Sequence, residues 1–354
     1  MPFHCDDART DRWSLETLDE LYPMAMDSSN DLVEWMDIVA FKGDQIGPED
    51  SFATDNTDEP NSLPSWVLDK RLEFQQLTSE MLSRQNRQLR LRIPSLEVLQ
   101  SAGYNHLWLF KAPVVDTIKM LRVSTLNTAQ KCTVLQTFLN VFVAQSLLNE
   151  VATHRNTVQV DTACKYESLQ EMIEDAKKMG CDVLINCTGL GAGRLCKDPQ
   201  VMGARGVLLQ FDRAKTKRTF LGPSGDSNSL TEDAVILIEE PPWGDEDYPC
   251  YLIPRGNDLV VGGSYILQHE AESLRPSERK RLMEYASILG IDTESCKPDG
   301  EWVGFRPYRA TARCEIDWAL SDSSLTVVHS YGYGGSGWTV SSGVAKEVAN
   351  LIRA

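Results

Sequence analysis

Apolar residues recur at helical spacing near the start of the chain. Trp13, Leu18 and Leu21 fall on one face of the stretch 6–21, which predicts a helix there. Further on, 158–160 and 183–186 are short β-branched runs on either side of a helix-like stretch at 167–179. That strand–helix–strand order suits a parallel sheet. Between 205 and 265 the pattern changes to short strands separated by turn residues, at 207–211, 234–239, 251–254 and 259–262. These predict an antiparallel or mixed sheet in a second domain. The stretch 275–289 reads as a helix and 325–329 as a strand. A closing helix over 338–352 carries Val344, Val348 and Leu351 on one face. Residues 44–64 are acidic, rich in Pro, Ser and Asn, and without periodicity, so a mobile loop is expected.

A chain of 354 residues is long enough for two domains with their own cores. Its 42% hydrophobic and 24% charged content is that of an ordinary globular protein. A net charge of −16 argues against nucleic acid or an anionic membrane as partner. The nine cysteines show no C-x-x-C spacing and no small disulfide framework. With no signal peptide in the sequence, they read as reduced thiols of an intracellular protein. No metal-ligand pattern is found.

The chemistry concentrates near the C-terminus. Residues 329–340 read H-S-Y-G-Y-G-G-S-G-W-T-V, a glycine-rich turn between a strand and a helix. Such a turn presents backbone N–H groups to a negative or partly negative group, and its glycines let a flat ligand come close. On its own the signal is weak, because many α/β proteins have such turns. Three other motifs accompany it: Gly304-Phe305-Arg306-Pro307, Tyr251-Leu252-Ile253-Pro254 and Asn186-Cys187-Thr188-Gly189.

Together these motifs resemble those of the D-amino-acid oxidase family, which includes D-aspartate oxidase. The family's H-x-Y-G-x-G-x-x-G-x-T pattern is matched at His329, Tyr331, Gly332, Gly334, Gly337 and Thr339. Its G-[FL]-R-P is matched at 304–307, and its Y-I-I-P and N-C-T-G motifs at 251–254 and 186–189. The resemblance covers roughly 1–121 and 149–354. It implies an α/β fold with α+β character, in which a Rossmann-like FAD-binding domain (113–194 and 299–354) interleaves with a mixed-sheet substrate domain (1–112 and 195–298). The implied reaction is the oxidation of a D-amino acid by O₂ to an imino acid, hydrolysed to a keto acid and ammonia, with release of hydrogen peroxide. Which D-amino acid is not readable. Glycine and sarcosine oxidases are a weaker match, since they lack the same C-terminal pattern.

Residue roles follow from the resemblance. Arg306 would grip the substrate carboxylate, as a guanidinium does bidentately. Tyr251 and Tyr265 would add hydroxyl contacts, and Gly335 would offer its carbonyl to the substrate amine. Gly334, Ser336, Gly337, Trp338 and Thr339 would face the flavin's pyrimidine edge, with Cys187, Thr188 and Gly189 as further cofactor contacts. A helix N-terminus at 338 would stabilise the charge that develops there. His329 is expected to be structural and Arg309 to pack outward. The resemblance leaves a homodimer, and a peroxisomal or cytoplasmic location, open.

The same resemblance implies two departures. Family members begin with a strand and G-x-G-x-x-G that cradles the FAD diphosphate. Met1-Pro2-Phe3 looks like the segment that follows that region, so the first β-α-β portion is expected to be missing. The alternative function is then a non-catalytic remnant without bound FAD. The second departure is an insertion at 122–148, uncharged from 132 onward. Length alone would permit a membrane helix. Thr133, Gln136, Asn140 and Gln145 interrupt the apolar run, so an added buried or half-exposed helix is expected, or translated non-coding sequence.

Overall fold

The computed structural model describes residues 7–43, 65–88, 96–101, 104–120, 133–135, 159–161, 166–221, 227–229, 234–238, 248–267 and 271–353. The expected loop at 44–64 lies outside them. So does most of the insertion, of which 133–135 is a strand paired in parallel with 159–161. Among the described residues no helix is long and apolar enough to cross a membrane. Cys181, Cys187, Cys196, Cys250, Cys296 and Cys314 are free thiols.

In chain order the helices are α1 (Thr10–Met26), α2 (Ser79–Gln88), α3 (Leu96–Ser101), α4 (Leu169–Lys178), α5 (Gly191–Leu195), α6 (Pro276–Ile288) and α7 (Ser341–Arg353). The strands are β1 (Val33–Gly43), β2 (Gln75–Gln76), β3 (Tyr104–Val115), β4 (Thr133–Leu135), β5 (Gln159–Asp161), β6 (Val183–Asn186), β7 (Met202–Asp212), β8 (Thr219–Leu221), β9 (Ser227–Ser229), β10 (Val235–Ile238), β11 (Cys250–Arg255), β12 (Asp258–Gly262), β13 (Ile266–Leu267), β14 (Gly300–Ile316) and β15 (Thr326–Tyr333). The chain divides into two compact units, 1–24 with 117–204 and 306–354, and 25–116 with 205–305.

The first unit is built on β6 and β15, which run parallel in the register His329↔Asn186, with β14 antiparallel on the far side of β15. Alternation along β15 sends successive side chains to opposite faces. Val327 joins Leu169, Met172, Ile173 and Ala176 of α4, while Val328 joins Trp13 and the α7 residues Val344, Ala345 and Val348. Helix α4 forms where the i, i+3, i+4, i+7 stripe predicts it. Its N-cap Ser168 accepts the Glu171 N–H at 3.2 Å, and Lys177 and Lys178 sit in its last turn, where the helix dipole favours cations.

Helix α1 lies in this first unit up to residue 24, although the sequence reading grouped 1–112 with the substrate domain. The cause is Trp13, fully buried between β14, β15 and α7, with its indole N–H on Glu347 at 2.6 Å. Arg9 adds a second tie, donating to Glu347 at 2.9 Å and to the Cys314 carbonyl at 3.1 Å.

In the second unit the strand order is β2-β3-β1-β10-β11-β12-β7, with the first residues of β14 next to β7. Strand β1 is flanked by β3 antiparallel and β10 parallel, and Val39, Ala40 and Phe41 are buried in succession. Burial on both faces replaces alternation with a continuous apolar run. The core gathers Leu209, Phe211, Leu252, Leu259 and Val261 under Leu282 and Tyr285 of α6. One ion pair lies deep in this unit. Arg205 meets Glu278 through two contacts of 2.5 and 3.1 Å and donates to the carbonyls of Ala271 and Ser273.

Candidate functional site

The two segments assigned to the cofactor leave the sheet side by side. Strands β6 and β15 are parallel neighbours, so their carboxyl ends point the same way. Cys187-Thr188-Gly189 follows the end of β6, and Gly334–Ser336 forms a tight turn directly after β15. Ligands of open α/β sheets bind at such carboxyl ends. Strand β15 runs four residues beyond the expected 329, because Tyr331 and Tyr333 remain paired with Arg313 and Tyr308 of β14. Gly332 permits this continuation: its φ is +92°, and a Cβ there would lie 2.8 Å from the Cβ of Arg309. In the turn, Gly335 is exposed between buried Gly334 and Ser336. Gly337, Trp338 and Thr339 are half-buried, and a Cβ at Gly337 would meet no atom within 4 Å.

The closing helix begins at Ser341, three residues later than the sequence predicts. Its first amides are already occupied, since Thr17 of α1 accepts the N–H groups of Ser342 and Gly343 at 3.1 and 3.2 Å. The turn at 334–340 therefore supplies the donors nearest the strand end, in place of the helix N-terminus expected there.

Arg306 lies half-buried on β14. The last paired position before the turn is Tyr308↔Tyr333, so Arg306 is two residues beyond it on one strand and Gly335 two beyond it on the other. In the second unit, Tyr251 is half-buried on β11, opposite Gly262 of β12. Its ring lies on the backbone of Gly262 and Gly263, where a Cβ at 263 would be 2.6 Å from the hydroxyl. Tyr265 is also half-buried, two residues after that glycine pair.

Behind the candidate turns lies a polar network that the sequence reading did not find. Arg309 does not pack outward. Its side chain is 15% exposed and donates to Asp198 at 3.1 Å, because Asp198 is held in the loop after α5 with only 9% of its side chain exposed. Tyr331 donates to the same carboxylate at 3.0 Å and accepts from Arg313 at 3.0 Å. Burial pushes the Asp198 carboxyl up, but the Gln200 N–H, the Tyr331 hydroxyl and Arg309 outweigh it and hold the group below its usual value. His329 is fully buried, between Asp317 at 3.1 Å and Asn186 at 3.1 Å. Only the partners' proximity in space reveals this network, as they are scattered from 186 to 331. Burial pushes the Cys187 thiol up to about 12, so it is protonated and inert at neutral pH.

This is an α/β architecture with paired loops at the carboxyl ends of parallel strands, the form in which many nucleotide cofactors are held. A family model described as DAO, FAD dependent oxidoreductase, matches residues 143–351, and the chain belongs to that family. It is 29% identical over 185 residues to D-aspartate oxidase 1 of Caenorhabditis elegans, covering 51% of this chain and 48% of that one. It is 30% identical over 175 residues to a D-amino-acid oxidase of Rubrobacter xylanophilus, covering 49% and 47%. The chain thus spans about half the length of the curated relatives it matches. Among solved structures, glycine oxidase from Geobacillus kaustophilus superposes with a TM-score of 0.55 at 11% identity, over 97% of this chain and 77% of that one. A modified fructosyl peptide oxidase from Aspergillus nidulans gives 0.56 at 11%, over 98% and 77%. At such identities the likeness establishes the fold.

FAD is the cofactor of the family, and the residues present suit its flavin end. The open space at Gly337 and the exposed backbone of Gly335 leave room for a flat ring against the 334–339 turn.

Proposed function

We propose that the protein oxidises D-amino acids with O₂. The observation that carries the reading is the shared strand end: 187–189 and 334–339 emerge from adjacent parallel strands, with Arg306 two residues past the last pair of β14 and β15. The names of the relatives support the substrate class. When bound, FAD supplies the two-electron acceptor for the hydride on the substrate Cα, and O₂ is reduced to hydrogen peroxide.

The chain's own residues bind and orient. Arg306 holds the substrate carboxylate through two parallel N–H bonds. The hydroxyl of Tyr251, and that of Tyr265, add a donor to the same group, and the Gly335 carbonyl accepts from the amine. Gly334, Ser336, Gly337, Trp338 and Thr339 would hold the pyrimidine edge of the flavin, and Cys187, Thr188 and Gly189 would be its further contacts. No side-chain base is needed if the amine is neutral when it reacts. Residues 1–24, 113–194 and 299–354 serve the cofactor, and 25–112 with 195–298 the substrate.

The test is an FAD titration of the full chain, followed by peroxide release with D-alanine and D-aspartate. Flavin binding with D-selective peroxide formation would support the reading. Losing a bidentate charged contact in Arg306→Ala should raise KM by the equivalent of about 2–5 kcal/mol. A protein that retains no flavin once excess FAD is removed overturns the reading in favour of a non-catalytic remnant.

A further inference from the structure

Asn186 ends β6, and its two amide atoms do different work. The oxygen accepts from the Thr188 backbone N–H at 3.2 Å and from the Thr188 hydroxyl at 2.7 Å. The nitrogen donates to His329 Nδ1 at 3.1 Å and to Cys196 Sγ at 3.0 Å. His329 Nε2 lies 3.1 Å from the Asp317 carboxylate, which can only accept, so the proton sits on Nε2 and Nδ1 offers its lone pair. The tautomer thus fixes which way the Asn186 amide faces, and the amide fixes Thr188. Thr188 in turn anchors the turn that follows, because its carbonyl accepts the Gly191 N–H at 2.9 Å.

We propose that His329 is a positioning residue: through Asn186 it holds the 187–191 turn in place, and a second proton on the imidazole releases that turn. With Nδ1 protonated, two N–H donors face each other. Asn186 must rotate its oxygen toward His329, which turns its NH₂ onto Thr188. The Thr188 hydroxyl can reorient, but its backbone N–H cannot, so the anchor is lost.

The groups around the imidazole make the switch directional. Asp317 faces Nε2, Asn186 and Cys196 lie on the Nδ1 side, and the Tyr331 ring stands edge-on at 5.6 Å. Arg313 reaches Glu315 at 2.7 Å and lies 3.6 Å from Asp317, and Asp198 lies behind Tyr331. Burial first, and the charge of Arg313 second, hold the imidazole below its ordinary value against the pull of Asp317 and Glu315. It is therefore neutral at physiological pH, and the anchored state prevails.

The inference rests on the flavin reading only for what the turn does, so its test is made without cofactor. Hydrogen exchange of the 188–192 amides is followed on the full chain, corrected for intrinsic rates. Between about pH 7.5 and about pH 5, protection there should fall on the order of tenfold while α4 holds steady. His329→Asn keeps an acceptor near the Nδ1 position and does not titrate, so its protection should be flat across that range. His329→Leu should show low protection at every pH. If neither variant folds, ¹⁵N signals of the wild-type ring decide: an Nε2–H tautomer at neutral pH supports the proposal and an Nδ1–H tautomer overturns it. A wild-type profile that stays flat while the ring is seen to titrate also overturns it. FAD titration is scored separately: a chain that shows the switch but binds no flavin keeps the positioning role and loses the functional reading.

Discussion

The backbone of Trp13 lies directly on Gly343. A Cβ at position 343 would overlap the Trp13 Cα and carbonyl oxygen and come within 2.7 Å of its carbonyl carbon. The obstructing atoms are backbone of the first turn of α1, so no side chain can swing aside. In an exposed helix Gly→Ala would gain about 1 kcal/mol from propensity alone. Here overpacking, about 1–3 kcal/mol and at its upper end for a backbone clash, wins. Gly343→Ala should lower stability by roughly 1–2 kcal/mol net in denaturant unfolding. A variant as stable as wild type would show that α1 is not seated on α7 as described.

Thr17 closes the same contact. Position 340, just before α7, is a valine whose side chain has no oxygen to offer the first amides, so the Thr17 hydroxyl takes the capping role from another helix, while donating to the Trp13 carbonyl at 2.8 Å. Thr17→Val leaves two buried N–H groups without this acceptor and should cost about 2 kcal/mol, with Thr17→Ser restoring most of it. Equal melting of the valine and serine variants would remove the cap from the account.

The Arg205–Glu278 pair predicts an asymmetry in the second unit. Arg205 is fully buried and Glu278 is 3% exposed, and Glu278 also accepts the Arg275 N–H at the start of α6. Removing one partner strands a buried charge. Arg205→Met and Glu278→Gln should each destabilise by about 3–5 kcal/mol, whereas the double change should cost clearly less than their sum. A double-mutant cycle by chemical denaturation checks this, and strict additivity would contradict the pairing.

Stability should also follow His329. Its folded-state value lies below the ordinary 6.5, so the unfolded chain binds the proton more readily. The contribution is complete above about pH 6.5 and shrinks as the pH falls below that point toward the folded-state value. His329→Asn should flatten the wild-type decline between about pH 6.5 and pH 5, measured by thermal unfolding. An unchanged slope in the variant would assign the decline to other groups.

Much of this was legible in the chain. The β-branched run at 183–186 and the stripe Leu169, Met172, Ile173, Ala176 announced a buried strand and its covering helix, and Trp13, Leu18 and Leu21 are all buried on α1. Strands β1, β3 and β14 were not legible. Strand β14 is the clearest case: Glu301, Arg306, Arg309, Arg313 and Glu315 fall along its 17 residues, and neither alternation nor an apolar run marks it. Its conformation is set by pairing with β15, a neighbour invisible to local pattern. The glycine turn was found because its spacing is local. The acceptor that occupies the α7 amides comes from Thr17, more than 300 residues away, and no window of sequence connects the two.

The first unit takes its chain from three separate stretches, 1–24, 117–204 and 306–354. During synthesis the helix bearing Trp13, Leu18 and Leu21 emerges well before the helix that covers it, with more than 300 residues between them. The second unit, drawn from 25–116 and 205–305, has all its residues some fifty positions earlier. An apolar helix face is thus left waiting while those residues are made, the circumstance in which nascent chains aggregate or recruit chaperones. Closure of this unit demands contacts across more than 300 residues, the kind of long-range pairing that slows folding.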